Sequence, residues 1–443
     1  MRFEPWSGRA FMSALLPLAL AAALQLPARQ TVAQAAFPIT HVNHGPNSAQ
    51  AQERHYVVLV SLDGFRWDYA QRDGAEHLLA LGKQGVWAPE GMLPSYPSLG
   101  LPNRLAMVTG LYPGLNGMVA DSFYDPERKA RFAATDAKAA ADGSWFSGVP
   151  LWSLAESQGM RTATIFWPGS AAEIAGFRPT YSVRYDSEIS EQERIEQVLK
   201  WLRLPAAERP HFIALSFSQP DREGREFGPD APETKAAVLR MDALIGKLRT
   251  ELNATGLPVD LVVVSDHGMA TTEGGWITLD QFSSLSGFET DGMLLYGQTE
   301  LERQRVYDQL KHVSPLFVLY WRKDMPAQLH YNQNPREGDP VVIPLGPYAI
   351  RAHGPAAGQP NKPPPAGICG MDPEAEPQMK AIFFAAGPDI VSGKTVGSFE
   401  NVNLYPWIAH MLGLNAPKSD GDLNILAGTL RDDGVQPAKT AAK

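Results

Sequence analysis

Five apolar runs, each stopping at a turn or an acidic residue, constrain what this chain can fold into more than any other feature. Tyr56 to Leu62 ends at Asp63-Gly64, Thr162 to Phe166 at Trp167-Pro-Gly169, and Phe212 to Phe217 at Pro220-Asp221. Leu261 to Val264 ends at Ser265-Asp-His-Gly268, and Ala381 to Ala386 at Gly387-Pro388. Such runs suit strands buried on both faces of a parallel sheet. Between them lie segments with helical spacing. Ser190 to Leu202 puts Ile195, Val198, Leu199 and Leu202 on one face, and Glu233 to Leu252 does the same with Val238, Met241, Leu244 and Ile245. Strands alternating with helices predict an α/β fold, an open sheet with helices on both faces.

Three of the five strands carry an aspartate at or just past their C-terminal end: Asp63, Asp221 and Asp266, the last followed by His267. Sites of open α/β sheets form at that edge. One such aspartate would be a turn or cap residue. Three on neighbouring strands repel unless a cation gathers them, so together they point to a metal site.

The formal net charge of −9 over 443 residues gives no basic footprint for nucleic acid. The N-terminus places Arg2 and Arg9 before an apolar run, Ala10 to Leu26, and then Val32-Ala-Gln-Ala-Ala36, an A-x-A cleavage pattern. Residues 1–36 are therefore expected to be a signal peptide, with an uncleaved anchor as the alternative. Pro17 and Pro27 break the run, and no later segment is long and apolar enough for a stable membrane span. Residues 37–54 read as a disordered lead-in, 55–420 as the main domain with an inserted segment at about 270–365, and 421–443 as a tail. The single cysteine, Cys369, excludes an internal disulfide.

Leu59-Val-Ser-Leu-Asp-Gly-Phe-Arg66, Pro102-Asn103 with Val108-Thr-Gly-Leu-Tyr-Pro113, and Ser122-Phe-Tyr-Asp125 form an ordered set of motifs. Phe166-Trp-Pro-Gly-Ser170, Pro220-Asp221 with Gly228-Pro229, Ser265-Asp-His-Gly268 and Phe384-Ala-Ala-Gly-Pro388 continue it. The set resembles the nucleotide pyrophosphatase/phosphodiesterase family of the alkaline phosphatase superfamily, from about residue 55 to about 415. The resemblance implies an alkaline phosphatase-like fold with a mixed, mostly parallel sheet and a smaller inserted cap subdomain. It also implies two zinc ions between six Asp/His ligands and an attacking threonine or serine. A metal makes such an alcohol a competent nucleophile and offsets charge developing at phosphorus.

Transferred residue by residue, the resemblance implies that one metal site keeps Asp63, Asp266 and His267. The nucleophile falls on Gly100 in Pro97-Ser-Leu-Gly-Leu-Pro-Asn103. The other site keeps Asp221, but Arg225 stands for one histidine and Cys369 for another. The phosphate-contacting asparagine falls on Asp121, and the two nucleobase-flanking aromatics fall on Tyr181 and Leu101. Arginine does not deprotonate and is a poor metal ligand; its i,i+4 relation to Asp221 lets it pair with that carboxylate in place of a zinc, or else it points to solvent. A thiolate could ligate zinc, so Cys369 is either a ligand or an inert buried thiol.

One zinc rather than two is expected, with a nucleotide or other small phosphodiester as ligand. The chain reads as a secreted or periplasmic family protein that is weakly active or inactive. The alternatives are a hydrolase using a metal-bound hydroxide and a non-catalytic binding protein.

Overall fold

The computed structural model describes residues 37–431; the signal-peptide reading for 1–36 and the end of the tail, 432–443, lie outside the described residues. Among the described residues, nine strands form the central sheet. In spatial order they are Thr40–His41, Tyr181–Val183, Thr162–Ile165, Phe212–Phe217, Tyr56–Leu62, Val259–Val264, Phe383–Ala386, Val86–Trp87 and Lys394–Thr395. The 181–183, 162–165, 212–217, 56–62 and 259–264 strands run parallel. The 383–386 strand is antiparallel to both its neighbours, which makes the sheet mixed but mostly parallel.

Every residue of the 56–62 strand is buried, as its unbroken apolar run predicts. Val57 and Leu59 share one face with Trp152, Leu404 and Trp407. Val58 and Val60 point to the other face by the twofold alternation of a strand. The helix Pro232–Ala254 packs against the 76–84 helix and the 259–264 strand, burying Val238, Met241 and Ile245. Glu191–Leu202 begins with a capping box, Ser190 accepting from the Glu193 amide and Glu193 from the Ser190 amide.

The lead-in is ordered, contrary to the expectation of disorder. Thr40–His41 pairs with the 181–183 strand, and Asn47 donates to the Ala206 and Arg209 carbonyls. Contacts with residues 140 to 162 positions away fix it, and local composition gives no sign of them. The first part of the tail is tied down too: Ile390 bridges Leu430, and Leu426 is buried. Residues 270–368 carry eight short strands in four two-stranded sheets, with a separate apolar cluster around Leu279, Leu295, Leu310 and Phe317. No described helix is long and apolar enough to cross a membrane.

Candidate active site

The parallel strands end together, and their C-terminal ends deliver the acidic residues to one place. Asp63 follows the 56–62 strand and donates its amide to Phe217, while the Asp221 amide bonds the Asp63 carbonyl at 2.9 Å. Gly64 makes this approach possible. Its φ is +66°, and a Cβ there would stand 2.8 Å from the Asp221 Cβ. The Gly64 and His267 amides both donate to Asp266 Oδ1, at 3.1 and 3.0 Å.

His267 Nδ1 lies 2.7 Å from the Gly268 carbonyl oxygen, so Nδ1–H donates there and Nε2 turns inward. Nε2 is 3.6 Å from Asp63 Oδ1 and 3.9 Å from Asp266 Oδ1. Two sets of three donor atoms result, each within 4.8 Å: Asp63, Asp266 and His267, and Asp221, His267 and Cys369. Asp63, Asp221, Asp266, His267 and Cys369 thus converge as the sequence predicts.

Each set is held by an arginine. Arg225 Nε lies 2.6 Å from Asp221 Oδ2, and its Nη2 lies 2.9 Å from Cys369 Sγ. The segment Asp221–Phe227 is helical, which gives the i,i+4 pairing its geometry. The second arginine is Arg104, which the sequence reading overlooked. Its Nη2 is 2.7 Å from Asp63 Oδ2 and 2.8 Å from Asp266 Oδ2. The N–H bonds do not point along these lines, so the contacts are close ion pairs rather than aligned hydrogen bonds. A signal was present: Arg104 lies four residues after Gly100, and the helix Gly100–Thr109 puts both on one face.

The electrostatics follow from burial and these pairs. Burial pushes the Asp266 carboxyl up to about 6, with Arg104 working against the rise. Burial also raises Asp221, helped by the nearby Asp63 charge and opposed by Arg225. Asp63 moves down: Arg104 and His267 outweigh its desolvation. Burial would depress His267, but Cys369 and Asp266 overcome it and hold the imidazole well above its ordinary value.

Neither set fits a zinc ion as it stands. Arg225 already takes two members of one trio and Arg104 two of the other. Two unit charges about 4 Å apart repel by about 4 kcal/mol at an effective dielectric of 20, and a divalent ion doubles that. A metal would enter only if a guanidinium left.

Gly100 opens the helix, with no Cβ and no attacking atom. Ser98 offers none either: it is fully buried and donates to the Met371 carbonyl at 2.6 Å. Leu101 is buried, and its amide donates to Asp121 Oδ1 at 2.9 Å, which brings that carboxylate to the start of the helix. Asn103 braces the turn by donating to the Ser95, Pro97 and Leu99 carbonyls. A cavity of about 230 Å³ adjoins the site through Leu99, Asp121 and Cys369, with Tyr96, Tyr331 and Met293 among its walls.

Tyr181 does not join the site. It starts the 181–183 strand, stacks on His41 at 5.0 Å and on Trp201 at 5.8 Å, and bonds the Glu208 carbonyl. It sits where the parallel strands begin, whereas the carboxylates gather where they end.

Residues 57–360 match the profile of the type I phosphodiesterase/nucleotide pyrophosphatase family. An uncharacterized pyrophosphatase/phosphodiesterase of Schizosaccharomyces pombe is 32% identical over 407 residues, 87% of this chain and 82% of that protein. Ectonucleotide pyrophosphatase/phosphodiesterase family member 1 of Rattus norvegicus is 33% identical over 392 residues, which span 84% of this chain but 42% of that protein. Among solved structures, murine ectonucleotide pyrophosphatase/phosphodiesterase 5 superposes with a TM-score of 0.79 at 26% identity, covering 85% of this chain and 100% of the other. An inactive variant of that murine protein has been solved in complex with AMP.

Proposed function

The chain belongs to the type I phosphodiesterase/nucleotide pyrophosphatase family, and from that premise we propose that it is an exported member with impaired or absent phosphodiester hydrolysis. One observation carries the reading: Gly100, on which the attacking hydroxyl falls by resemblance, opens the helix facing Asp266 and offers no side-chain atom to attack with. Losing a nucleophile leaves a residual rate from binding and electrostatics alone, about 10³–10⁴ over water in a well-studied protease. The chain keeps donors for at most one zinc, on Asp63, Asp266 and His267, on condition that Arg104 moves. The basic and apolar leader with its A-x-A pattern supports export to a secreted or periplasmic location.

What remains for the fold to do is bind. The cavity beside Leu99, Asp121 and Cys369 has room for a small organic group, and AMP bound to the murine relative supports a nucleotide or similar phosphodiester as its ligand. Asp121 opposes the phosphate, which lowers the affinity without abolishing binding.

The deciding experiment is hydrolysis of a nitrophenyl nucleotide ester by purified protein, with and without added zinc. No turnover above the Asp63→Ala control is expected. Zinc-dependent turnover that Asp63→Ala abolishes would overturn the reading in favour of attack by metal-bound hydroxide.

A further inference from the structure

We propose that Arg104 and Arg225 are built-in cations standing in for both metal ions, so that the centre assembles and persists without metal. The proposal deepens the proposed function and rests on its placement of the family's two metal positions. Arg225 alone would leave the set Asp63, Asp266 and His267 available to one zinc; Arg104 closes that possibility.

The geometry is reciprocal. The two donor trios share His267, and in each the other two members are bound by one guanidinium. Arg225 holds Asp221 and Cys369, and Arg104 holds Asp63 and Asp266. Both arginines rise from helices beside the sheet edge, Gly100–Thr109 and Asp221–Phe227. The Arg104 side chain is 11% exposed and that of Asp266 is fully buried. Moving this guanidinium away would strand a buried carboxylate, so the arginine is part of the packed structure.

The absent Cβ at Gly100 belongs to the same arrangement. A Cβ there would meet Asp266 Oδ2 at 3.2 Å and Arg104 Nη1 at 3.6 Å. The glycine that removes the nucleophile also clears the volume beside the Arg104 head group. Guanidinium groups are fixed charges at every physiological pH, so they gather these carboxylates without the ligand deprotonation that metal binding requires.

The test is metal binding by the full chain, read separately from turnover. Wild-type protein purified in zinc-containing medium and dialysed is expected to carry well under one zinc per chain by elemental analysis. Its Tm should be unchanged by EDTA or by added zinc. Arg104→Met should bind one zinc and gain a zinc-dependent rise in Tm, because it frees Asp63, Asp266 and His267. A wild-type protein that retains one or more zinc ions per chain, or that loses thermal stability in EDTA, overturns the proposal. So does an Arg104→Met protein that folds and binds no zinc. If that variant fails to fold, zinc titration of the wild type by calorimetry decides: no binding supports the proposal and a stoichiometric site overturns it. A bound zinc without turnover would sink this inference and leave the impaired-hydrolase reading standing; turnover without bound metal would do the reverse.

Discussion

A side chain added at Gly100 would place its first carbon 3.2 Å from Asp266 Oδ2, directly facing the carboxylate. The backbone there is ordinary helix start, but the buried Asp266 carboxylate must give way by a few tenths of an ångström, so Gly100→Thr should fold with a loss of about 1–3 kcal/mol. It should not restore hydrolysis, because the new hydroxyl would have guanidinium neighbours and no metal to lower its pKa. Adding Arg225→His and Cys369→His should still give no zinc-dependent turnover of a nitrophenyl nucleotide ester while Arg104 remains. Arg104→Ala in that background should produce it. Activity in the triple variant that retains Arg104 would show that this arginine does not block the site.

Asp121 brings a carboxylate to the Leu101 amide, where a phosphate would approach the helix start. Its residue is exposed, so water screens the charge. At water's dielectric a unit charge about 4 Å away costs roughly 1 kcal/mol, or about fivefold in affinity. Asp121→Asn should therefore tighten AMP binding by about that factor in a calorimetric titration at low salt. Increasing salt should shrink the difference between the two proteins. Equal affinities at low salt would place the bound phosphate away from Asp121.

Much of the fold was legible because it depends on local pattern. The runs ending at Asp63, Asp221 and Asp266 name the strands, and a parallel sheet brings their ends together without further information. Arg104 lies one residue beyond the motif Pro97–Asn103 that carries the resemblance, and only the helix Gly100–Thr109 puts residues 100 and 104 on one face. Tyr181 was misplaced for the opposite reason. The resemblance puts a nucleobase-flanking aromatic on it, but the strand begins at residue 181, which puts the ring at the far end of the sheet. The order of residues 37–54 rests on partners such as Ala206 and Arg209, contacts that residue pattern cannot show.

Glu156 anchors two parallel strands from the helix that precedes them. Its Oε1 accepts from the Thr162 amide, the Thr162 hydroxyl and the Thr180 amide, each at 2.8 Å, and its Oε2 lies 3.0 Å from Arg161 Nη1. Both side chains are almost wholly buried. Glu156→Ala strands the Arg161 charge and three strand-end donors together. Breaking a buried pair from one side costs about 3–5 kcal/mol, so the urea midpoint should fall by a corresponding amount. A loss under about 1 kcal/mol would mean that water enters and satisfies Arg161.

Asp260 and Asp389 meet at the start of the 259–264 strand, at the opposite end of the parallel strands from the carboxylate centre. Asp260 Oδ1 accepts from the Asp389 amide at 3.1 Å, and Asp260 Oδ2 is buried without a donor. Around the pair, His55 Nδ1 lies 2.8 Å from Asp389 Oδ1, and Arg431 supplies the nearby positive charge. Burial, reinforced by the Asp389 carboxylate, pushes Asp260 up to about 8 from the ordinary 3.8. The folded chain thus keeps a proton that the unfolded chain has released, and stability must fall as pH rises from about 4 to about 8. Asp260→Asn holds the neutral form at every pH and keeps an oxygen for the Asp389 amide. It should be close to neutral at pH 4 and stabilising at pH 9 by several kcal/mol, since a rise from 3.8 to about 8 corresponds to on the order of 5 kcal/mol at about 1.4 kcal/mol per pH unit. Urea unfolding of both proteins across that range checks it, and parallel stability curves would show that Asp260 ionises in the fold as readily as in the unfolded chain.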